Sequence, residues 1–340
     1  MRHDGAVPPA RPKPIDRMKI LITGGSGFIG TTLVEVLLAR GHEVFNLDVT
    51  SPLDTRQAGQ FIRCDIMDAT ALSRRFQELQ PQAVIHLAAR ADVTEGGSVE
   101  VAYAVNITGT RNLLAAVKAT RSVERAIITS TQYVCRPGHT PANDEDFNPH
   151  TLYGESKVVA ERATRAAGLP CVWTIIRPTT VWGPWHLRYR DTLFRMMRRG
   201  LYVHPSGHQC VQGFGYAKNV AHQLESILLI EAAKVHQQVL YIGDGHIRLL
   251  DWVNAFSRAL RGREVVIVPR LLLQAGARFG DVFQAVTGRG FPLYSARFRN
   301  MTDDYVVPTD RTLALLGPPL ISLEEGVRET VAWLQAHPGG

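Results

Sequence analysis

The stretch Gly24-Gly-Ser-Gly-Phe-Ile-Gly30 decides the fold of this 340-residue chain. It follows the apolar run Met18–Ile22 and precedes the run Thr31–Arg40, a pattern that predicts a strand, a tight turn and a helix. Such a turn needs a residue without a Cβ atom, a pyrophosphate needs bare backbone, and close packing of helix on strand needs a third small residue. Gly24, Gly27 and Gly30 meet these three needs in that order. The turn therefore predicts a dinucleotide whose phosphates lie at the positive end of the helix, with an ordinary tight turn as the alternative.

A carboxylate at Asp48 narrows the expected dinucleotide to NAD. Asp48 follows the second predicted strand, Glu43–Leu47. A carboxylate at this place accepts hydrogen bonds from the adenosine ribose hydroxyls and repels a 2′-phosphate. No Arg or Lys stands next to it in the sequence, so NAD is favoured over NADP. The alternative is an ordinary turn residue before Pro52.

Two further strand ends extend the predicted cofactor site. Asp65 and Ile66 follow a third short strand and are expected to meet the adenine ring. The sequence His86-Leu-Ala-Ala89 ends a fourth strand, and its small residues let the backbone pass close to the cofactor. His86 itself is expected to be packed and hydrogen-bonded rather than catalytic, because that is the commoner role of a single His at a strand end.

Tyr153 and Lys157 form the predicted reactive pair. They are four residues apart in a segment predicted as the helix Tyr153–Ala167, so their side chains share one face. A free tyrosine titrates near pH ~10, but an adjacent ammonium and the positive nicotinamide ring are expected to lower its pKa. Tyr153 is then able to take a proton from a substrate hydroxyl. The alternative for this spacing is an amphipathic helix with a surface lysine.

Thr131 is the candidate for the side chain that holds the substrate oxygen. It follows the predicted strand Arg125–Thr129, at the carboxyl edge where ligands of parallel sheets bind. Ser130 is the close competitor for the same role. The conjunction of glycine turn, acidic residue, hydroxyl at a strand end and Tyr/Lys pair, in this order, favours an enzyme site over an accidental match.

With these motifs, the chain resembles the extended short-chain dehydrogenase/reductase family, specifically its NAD-dependent epimerase/dehydratase group acting on nucleotide sugars. The resemblance covers Met18 to about His337, and by it Thr131, Tyr153 and Lys157 match the catalytic positions. It implies NAD as the cofactor and a nucleotide sugar as the substrate. The positions expected to bind NAD are Gly24, Gly27, Phe28, Ile29, Gly30, Asp48, Asp65, Ile66, Leu87, Ala88, Ala89, Asn106, Tyr153, Lys157, Arg177 and Pro178.

Several positions depart from the pattern of this group. Gln132-Tyr133 stands where its dehydratases have Asp-Glu, so the acid pair for water elimination is missing and a dehydratase is not expected. Thr180 and Gln212 replace a common Asn and Arg that serve the substrate diphosphate. Cations near the expected substrate lobe, Arg190 among them, could take over that role or could belong to a solvated helix face. The candidate substrate contacts are Thr94, Gln132, Thr180, Arg190 and Gln212.

Composition favours a soluble globular protein with a full core, since 45% of the residues are apolar and 20% are charged. The net charge of +7 suits an anionic ligand, but no nucleic-acid-binding motif accompanies it. No apolar stretch is long enough to span a bilayer, so no membrane partner is expected. The cysteines lack paired spacing, which predicts neither a metal site nor a disulfide framework and fits the cytoplasm; they are Cys64, Cys135, Cys171 and Cys210.

Strand and helix patterns alternate from Met18 to about Pro178, which predicts an α/β fold with a Rossmann-type, doubly wound parallel sheet. A smaller, discontinuous C-terminal substrate lobe is expected beside it. The predicted divisions are a flexible tail at 1–17, an NAD-binding domain at 18–178 to which 213–246 return, and a substrate lobe at 179–212 and 247–337.

Phe279 and Phe283 lie on the predicted helix Leu271–Thr287 of this lobe. They are expected in the core, with a substrate pocket as the alternative. The resemblance also implies a homodimer that pairs through the predicted helices Val99–Lys118 and Tyr153–Ala167.

The leading hypothesis is an NAD-dependent nucleotide-sugar epimerase acting at C4. Tyr153 would deprotonate the C4 hydroxyl while hydride passes to the nicotinamide, Thr131 would hold the oxygen, and Lys157 would position the ribose. The keto-sugar would turn over and take the hydride back on its other face. The alternative is a net dehydrogenase or ketoreductase of a sugar, sterol or other secondary alcohol, and a non-catalytic binding protein is disfavoured by the intact triad.

Overall fold

The computed structural model describes residues 17–92 and 97–338, so the predicted tail falls almost wholly outside the described residues. The strands of this part are β1 Lys19–Thr23, β2 Glu43–Asp48, β3 Phe61–Arg63, β4 Ala83–His86, β5 Arg125–Thr129, β6 Val172–Pro178, β7 Thr180–Trp182, β8 Val203–Pro205, β9 Val211–Tyr216, β10 Gln238–Ile242, β11 Gly245–Arg248 and β12 Val266–Val268. The helices are α1 Phe28–Ala39, α2 Ala69–Leu79, α3 Val99–Ala102, α4 Thr110–Ala119, α5 Leu152–Ala166, α6 Leu187–Tyr189, α7 Arg195–Arg199, α8 Ala217–Leu229, α9 Ala232–Val235, α10 Leu249–Arg261, α11 Arg270–Thr287, α12 Ser295–Thr302, α13 Asp310–Leu316 and α14 Leu323–Ala336.

A seven-stranded parallel sheet forms the centre of the molecule, in the order β10-β6-β5-β4-β1-β2-β3. The strand order reverses beside β1, because the chain moves outward through β2 and β3 and then returns to β4 on the other side. In such sheets, ligands bind at this reversal, outside the carboxyl ends of the strands. The predicted doubly wound α/β fold is confirmed.

Strand β1 shows why the sheet is buried on both faces. Ile20, Leu21 and Ile22 are all fully buried. Because side chains alternate along a strand, Ile20 and Ile22 pack with Leu33 of α1, whereas Leu21 packs with Phe76 of α2 on the opposite face. Helices on both faces account for the continuous apolar run that the sequence shows at this strand.

The chain re-enters this domain between residues 217 and 242. Helix α8 packs against α1, and β10 extends the sheet beside β6. Strand β9 instead joins β7 and β11 in a separate three-stranded sheet. The division of the chain into two domains at the predicted boundaries remains a prediction.

An aromatic core joins β7, β9, α10 and α14, and we call these elements with α7 the smaller lobe. The ring of Trp182, on β7, lies 5.9 Å from that of Trp252 and 5.4 Å from that of Phe256, both on α10. Gly326 lets α14 approach this cluster, because a Cβ there would lie 2.8 Å from Cη2 of Trp182. The lobe is therefore a packed body, and it holds β7 in place directly after the end of β6.

The prediction of one continuous helix at Val99–Lys118 is wrong for the middle of this segment. Helix α3 ends at Ala102, a π-helical turn spans Val105–Gly109, and α4 begins at Thr110. The segment keeps helical periodicity across the interruption, so the sequence pattern does not reveal it. Single π turns of this kind are frequent at functional sites.

Phe279 is not a core residue, which corrects the expectation from sequence. It is 61% exposed, and Phe283 is only partly buried. The buried face of α11 consists of Leu273, Ala277 and Gly280. The helix has apolar side chains on two faces, and periodicity cannot tell which of them packs. Within residues 17–92 and 97–338, no helix is long and apolar enough to cross a membrane.

Candidate active site

The glycine turn between β1 and α1 is shaped for close backbone approach. Gly24 has a φ of +76°, a left-handed value that glycine adopts without steric cost. A Cβ at Gly24 would lie 2.5 Å from the backbone N of Ala88, and a Cβ at Gly30 would collide with the carbonyl of Gly24. Helix α1 begins at Phe28, and its N-cap, Gly27, has no side chain to cap the first-turn N–H groups. These groups are available to an anion.

Asp48 lies beside this turn, at the end of β2. Its carboxylate accepts hydrogen bonds from the backbone N of Ser26 at 3.1 Å and of Thr50 at 3.0 Å. Asn46 supports the same loop by donating to the Ser26 hydroxyl at 3.0 Å. The carboxylate is therefore held between two loops, and its remaining lone pairs are able to accept from ribose hydroxyls.

Arg63 is a neighbour of Asp48 that the sequence analysis missed. The parallel register pairs Asp48 of β2 with Arg63 of β3. Paired residues of adjacent strands have their side chains on the same face of the sheet. Strand pairing brings Arg63 next to Asp48, although the two residues are far apart in the sequence. The preference for NAD therefore rests on the Asp48 carboxylate and its hydrogen bonds to the loops, and not on the absence of a nearby cation.

The turn after β3 is fixed by the π-helical turn and by α4. Ile66 is 4% exposed, and a Cβ at Gly109 would lie 2.5 Å from its Cδ1 atom. Asn112 of α4 donates to the Ile66 carbonyl at 2.9 Å. The Asp65 carboxylate accepts from the backbone N of Met67 at 2.9 Å. The geometry of this turn is thus well determined, and its contact with adenine stays a prediction.

His86 bridges two hydroxyl groups at the end of β4. Its Nδ1 atom lies 2.7 Å from Oγ1 of Thr23, and its Nε2 atom lies 3.0 Å from Oγ1 of Thr110. Burial, with a further contribution from the charge of Lys157, lowers the pKa of His86 to about 3. His86 is therefore a neutral structural residue, as predicted. The backbone at Leu87–Ala89 follows it directly past the glycine turn.

Thr131 and Tyr153 meet at the carboxyl edge of the sheet. Thr131 follows β5, Tyr153 stands in the first turn of α5, and both are buried. Burial raises the pKa of Tyr153 to about 12, and hydrogen bonding with the Thr131 side chain acts in the opposite direction. The expected lowering of the Tyr153 pKa is thus wrong for the protein alone, because desolvation of the phenolate is the largest effect.

Lys157 lies one helical turn after Tyr153 on α5. Its Nζ atom donates to the carbonyl of Thr129, at the end of β5, at 2.8 Å. Burial lowers the pKa of Lys157 to about 8, and the charge of Glu161 opposes this shift. The lysine therefore ties α5 to the strand that precedes Thr131, so the tyrosine and the threonine are held at a fixed separation.

Glu161 organises a buried network that the sequence analysis did not find. Its carboxylate accepts a hydrogen bond from Oγ of Ser130 at 2.5 Å and two from the guanidinium of Arg177 at 2.9 Å each. The side chains of Glu161 and Arg177 are both 1% exposed. Ser130 is committed to this network, which leaves Thr131 as the better placed hydroxyl for a substrate oxygen. The only signal in the sequence was the spacing of four residues after Lys157.

Two residues predicted to bind NAD use their side chains inside the protein. Arg177 donates to the hydroxyl of Tyr241 at 2.9 Å and to the carbonyl of Asp144 at 2.6 Å. Asn106 lies in the π-helical turn and donates to the hydroxyl of Ser156 at 2.9 Å. Both side chains hold α5 and its neighbours together. Any contact of Arg177 or Asn106 with NAD would therefore use their backbone atoms. The same holds for Pro178, which has no polar side-chain atom.

Three tyrosines, which we call the tyrosine wall, stand beside Tyr153. The rings of Tyr103 and Tyr133 lie 6.1 Å and 6.2 Å from its ring, and Tyr305 lies 6.0 Å from Tyr133. The hydroxyl of Tyr305 is within 2.7 Å of the Gln132 carbonyl. Tyr305 thereby reaches the loop after β5 that contains Thr131. Tyr103 is fully buried and Tyr305 is 8% exposed, so Tyr133 is the member of the wall that is partly exposed beside Tyr153.

The candidate substrate residues fall into separate places. Gln132, which follows Thr131 in the chain, donates to Oγ1 of Thr180 at 3.2 Å, so these two side chains lie together. Gln212, on β9, donates to the carbonyl of Asn300 at 2.6 Å and so fastens α12 to β9. Each of these amides is used in a contact within the protein, and none carries a charge for a diphosphate.

Arg190 lies in the smaller lobe. It forms an ion pair with Asp191 at 2.7 Å and lines a small hollow with Phe194 and Leu334. None of these contacts involves Thr131 or Tyr153, so the structure does not join Arg190 to the reactive pair. Thr94 lies outside the described residues.

Arginines other than Arg190 affect the pKa values of residues in and beside the tyrosine wall. Burial raises the pKa of Tyr133, and the charge of Arg188 opposes this. Burial lowers the pKa of His150, whose ring lies 5.6 Å from Tyr133, and the charges of Arg136 and Arg299 add to that effect. The aromatic site is therefore bordered by positive charge.

The segment after β7 reaches the glycine turn. The ring of His186 lies 4.4 Å from that of Phe28, the first residue of α1, and stacks on Tyr189 at 3.9 Å. Burial is the main cause of the raised pKa of Tyr189, about 12, and Tyr133 adds to it because two phenolates would repel each other. This segment thus spans from the start of α1 to the tyrosine wall.

Comparison with known proteins places this geometry in a family. The model of the "NAD dependent epimerase/dehydratase family" matches residues 20–247, more than half of the chain. A 3-beta-hydroxysteroid dehydrogenase of Mycolicibacterium neoaurum is 35% identical over 195 residues, which are 53% of this chain and 51% of that protein. A UDP-glucose 4-epimerase of Mycolicibacterium smegmatis is 32% identical over 183 residues, 49% of this chain and 57% of that protein.

The chain spans about half the length of these curated relatives. Among solved structures, the UDP-glucose 4-epimerase of Thermus thermophilus, in complex with NAD, superposes with a TM-score of 0.69 and 24% identity. That likeness covers 94% of this chain and all of the other, and it supports the fold. The chain belongs to the NAD dependent epimerase/dehydratase family.

Proposed function

We propose that this enzyme is an NAD-dependent dehydrogenase that interconverts a secondary alcohol and its ketone, with Tyr153 as the acid and base. The proposed substrate has an apolar ring system or chain next to the reacting carbon. The observation that carries this proposal is the partly exposed ring of Tyr133 beside Tyr153, together with the neutral side chains of Gln132 and Thr180, which lie together near it. Hydroxysteroid dehydrogenases among the relatives are consistent with it.

The residues present fit a bound NAD. The uncapped first turn of α1 and the glycines before it offer backbone N–H groups to a pyrophosphate. The carboxylate of Asp48 is held where it is able to accept hydrogen bonds from ribose hydroxyls. When bound, NAD supplies the hydride acceptor and, reduced, the hydride donor.

The protonation state of Tyr153 determines whether it donates or accepts a proton in the reaction. Because its pKa is raised to about 12, Tyr153 is a neutral phenol at neutral pH and is able to donate its proton to a carbonyl oxygen as that carbonyl is reduced. Thr131 holds the same oxygen with its hydroxyl. In the oxidation direction Tyr153 must accept a proton as a phenolate, which the hydrogen bond with the Thr131 side chain favours, while Lys157 ties α5 to the Thr129 carbonyl.

A second candidate is the nucleotide-sugar C4 epimerase predicted from sequence. The observation that favours it is the positive charge of Arg188 and Arg299 within reach of Tyr133 and His150, since a diphosphate is recognised by such cations. The same Thr131, Tyr153 and Lys157 would oxidise the C4 hydroxyl and return the hydride to the opposite face. Gln132 is an amide where the dehydratases have an acid, so dehydration is not proposed.

Binding measurements separate the two candidates. We expect protein saturated with NADH to be stabilised against heat by a polycyclic ketone and not by UDP. Replacing Tyr133 by Ala would remove part of the wall and weaken binding of the ketone, whereas the double variant Arg188→Gln with Arg299→Gln would leave it unchanged. Stabilisation by UDP that the arginine variant abolishes would instead establish the nucleotide-sugar candidate. A homodimer and a cytoplasmic location remain proposals.

A further inference from the structure

Helix α11 carries a solvent-facing row of apolar side chains that the active site does not use. Five large residues of this helix are between 61% and 79% exposed. At 3.6 residues per turn they cover roughly 100° of the helix surface along a length of about 23 Å. We call this row the apolar stripe; with one smaller residue it comprises Leu271, Leu272, Ala275, Phe279, Val282 and Val286.

The strand that precedes the stripe in the sequence also has exposed apolar side chains. Val266 and Ile267 of β12 are 58% and 53% exposed and lie immediately ahead of the helix. Half of the large apolar residues that are exposed in the described part of the chain therefore fall between residues 266 and 286. Single exposed apolar residues need no explanation, but a concentration of this kind marks an interaction surface.

The stripe cannot turn inward, because the opposite face of α11 is already packed. Leu273 and Ala277 are buried against Phe298 and Leu293. Gly280 is so close to the chain that a Cβ there would collide with the Leu293 carbonyl. The helix is therefore fixed with its apolar stripe toward solvent.

Positive charge borders the stripe. Arg278 lies on the edge of the stripe and Arg289 follows the helix after two residues, whereas Arg270 starts the helix with its guanidinium 5.9 Å from the ring of Phe298. The single acid of α11, Asp281, lies on the same side of the stripe as Arg278 but further from it, and it accepts hydrogen bonds from Ser295. A helix with an exposed apolar face bordered by arginines matches an interface that combines hydrocarbon with anionic head groups.

A second copy of the chain fits this surface less well. An antiparallel pairing of two α11 helices would place Arg270 of each copy near Arg289 of the other, and no acid on the helix is available to neutralise them. We propose that α11 is a membrane-surface helix, which lies in the plane of a bilayer that contains anionic lipids and inserts the apolar stripe at the level of the head groups. This inference does not depend on the substrate.

Vesicle flotation with the full-length protein tests the proposal. We expect the protein to float with phosphatidylglycerol vesicles and to bind phosphatidylcholine vesicles more weakly. The double variant Phe279→Ser with Val282→Ser should bind at least roughly tenfold more weakly, because two inserted side chains lose their burial. Leu320→Ser is the matched control, since Leu320 is 70% exposed outside this helix and should not matter.

The charges give a second, independent readout. Arg278→Gln with Arg289→Gln should weaken binding to phosphatidylglycerol and reduce its difference from phosphatidylcholine. The proposal is overturned if the unmodified protein floats with neither lipid, or if the stripe variant floats as well as the control. A fall in molar mass of the stripe variant in light scattering, without any lipid binding by the unmodified protein, would assign the surface to a second copy instead.

Discussion

At the scale of single residues, Tyr153 carries the proton transfer in this account. Tyr153→Phe removes the hydroxyl and keeps the ring, so turnover of any alcohol or ketone substrate should fall by roughly 10²–10⁴-fold. NAD binding should persist, because the ring remains in place. Steady-state kinetics with NADH absorbance measures the change, and Tyr202→Phe, a buried tyrosine of the smaller lobe, is the control. Equal activity of both variants would rule out Tyr153 as the acid and base.

The pair of Glu161 and Arg177 is the most sensitive charge pair of the site. Glu161→Gln keeps the shape of the side chain but leaves the buried guanidinium uncompensated. We expect the free energy of unfolding to fall by about 3–5 kcal/mol. The control is Glu78→Gln, an acid half exposed on α2, which should lower it by no more than about 1 kcal/mol. Urea denaturation measures both, and a Glu161 variant as stable as the control would contradict the role of this network.

His86 makes stability depend on pH. Its pKa is about 3 in the folded protein and about 6.5 when unfolded. The unfolded state therefore binds more protons between these values, and the stability that neutral His86 contributes is present above pH ~6.5 and lost as the pH falls toward ~3. The difference in unfolding free energy between the unmodified protein and His86→Asn should shrink between pH ~7 and pH ~4. Urea midpoints across this range check it, and a constant difference would contradict the burial effect.

At the scale of secondary-structure elements, the glycine turn is the most constrained piece of backbone. Gly24→Ala would bring a Cβ against Ala88 at a positive φ, so the turn must distort. We expect loss of the thermal stabilisation that NAD gives, together with lower stability of the protein. Gly59→Ala is the control, because nothing lies within 4 Å of a Cβ at that position. Calorimetry with and without NAD distinguishes the two, and retained NAD stabilisation in Gly24→Ala would contradict the proposed cofactor site.

The elements that sequence could predict are those whose local signals agree. The apolar run before Gly24 and the helix after it appear as β1 and α1, and the pair Tyr153 and Lys157 does share a face of α5. The π-helical turn around Asn106 escaped because it keeps the helical pattern on both sides. The outward face of α11 escaped for the opposite reason: two apolar faces are present, and only packing against Phe298 decides between them.

At the scale of the whole molecule, the site depends on contacts between distant segments. Tyr305 reaches the loop after β5 at Gln132, and strand pairing puts Arg63 beside Asp48. Neither contact has a local signal, because it arises from sheet register and from the way in which the lobe closes on the sheet. The residues proposed as catalytic, Thr131, Tyr153 and Lys157, could therefore be named from motifs, whereas the tyrosine wall became visible only in the folded chain.

The most direct measurement of the central claim follows hydride in the whole enzyme. The purified protein is incubated with NAD and with secondary alcohols that carry deuterium on the reacting carbon, a hydroxysteroid and a UDP-sugar among them. We predict that deuterium appears in NADH released from the enzyme, together with a ketone, for the apolar alcohol. Deuterium retained in an isomer of the UDP-sugar, with no NADH released and no reaction of the apolar alcohol, would contradict a dehydrogenase.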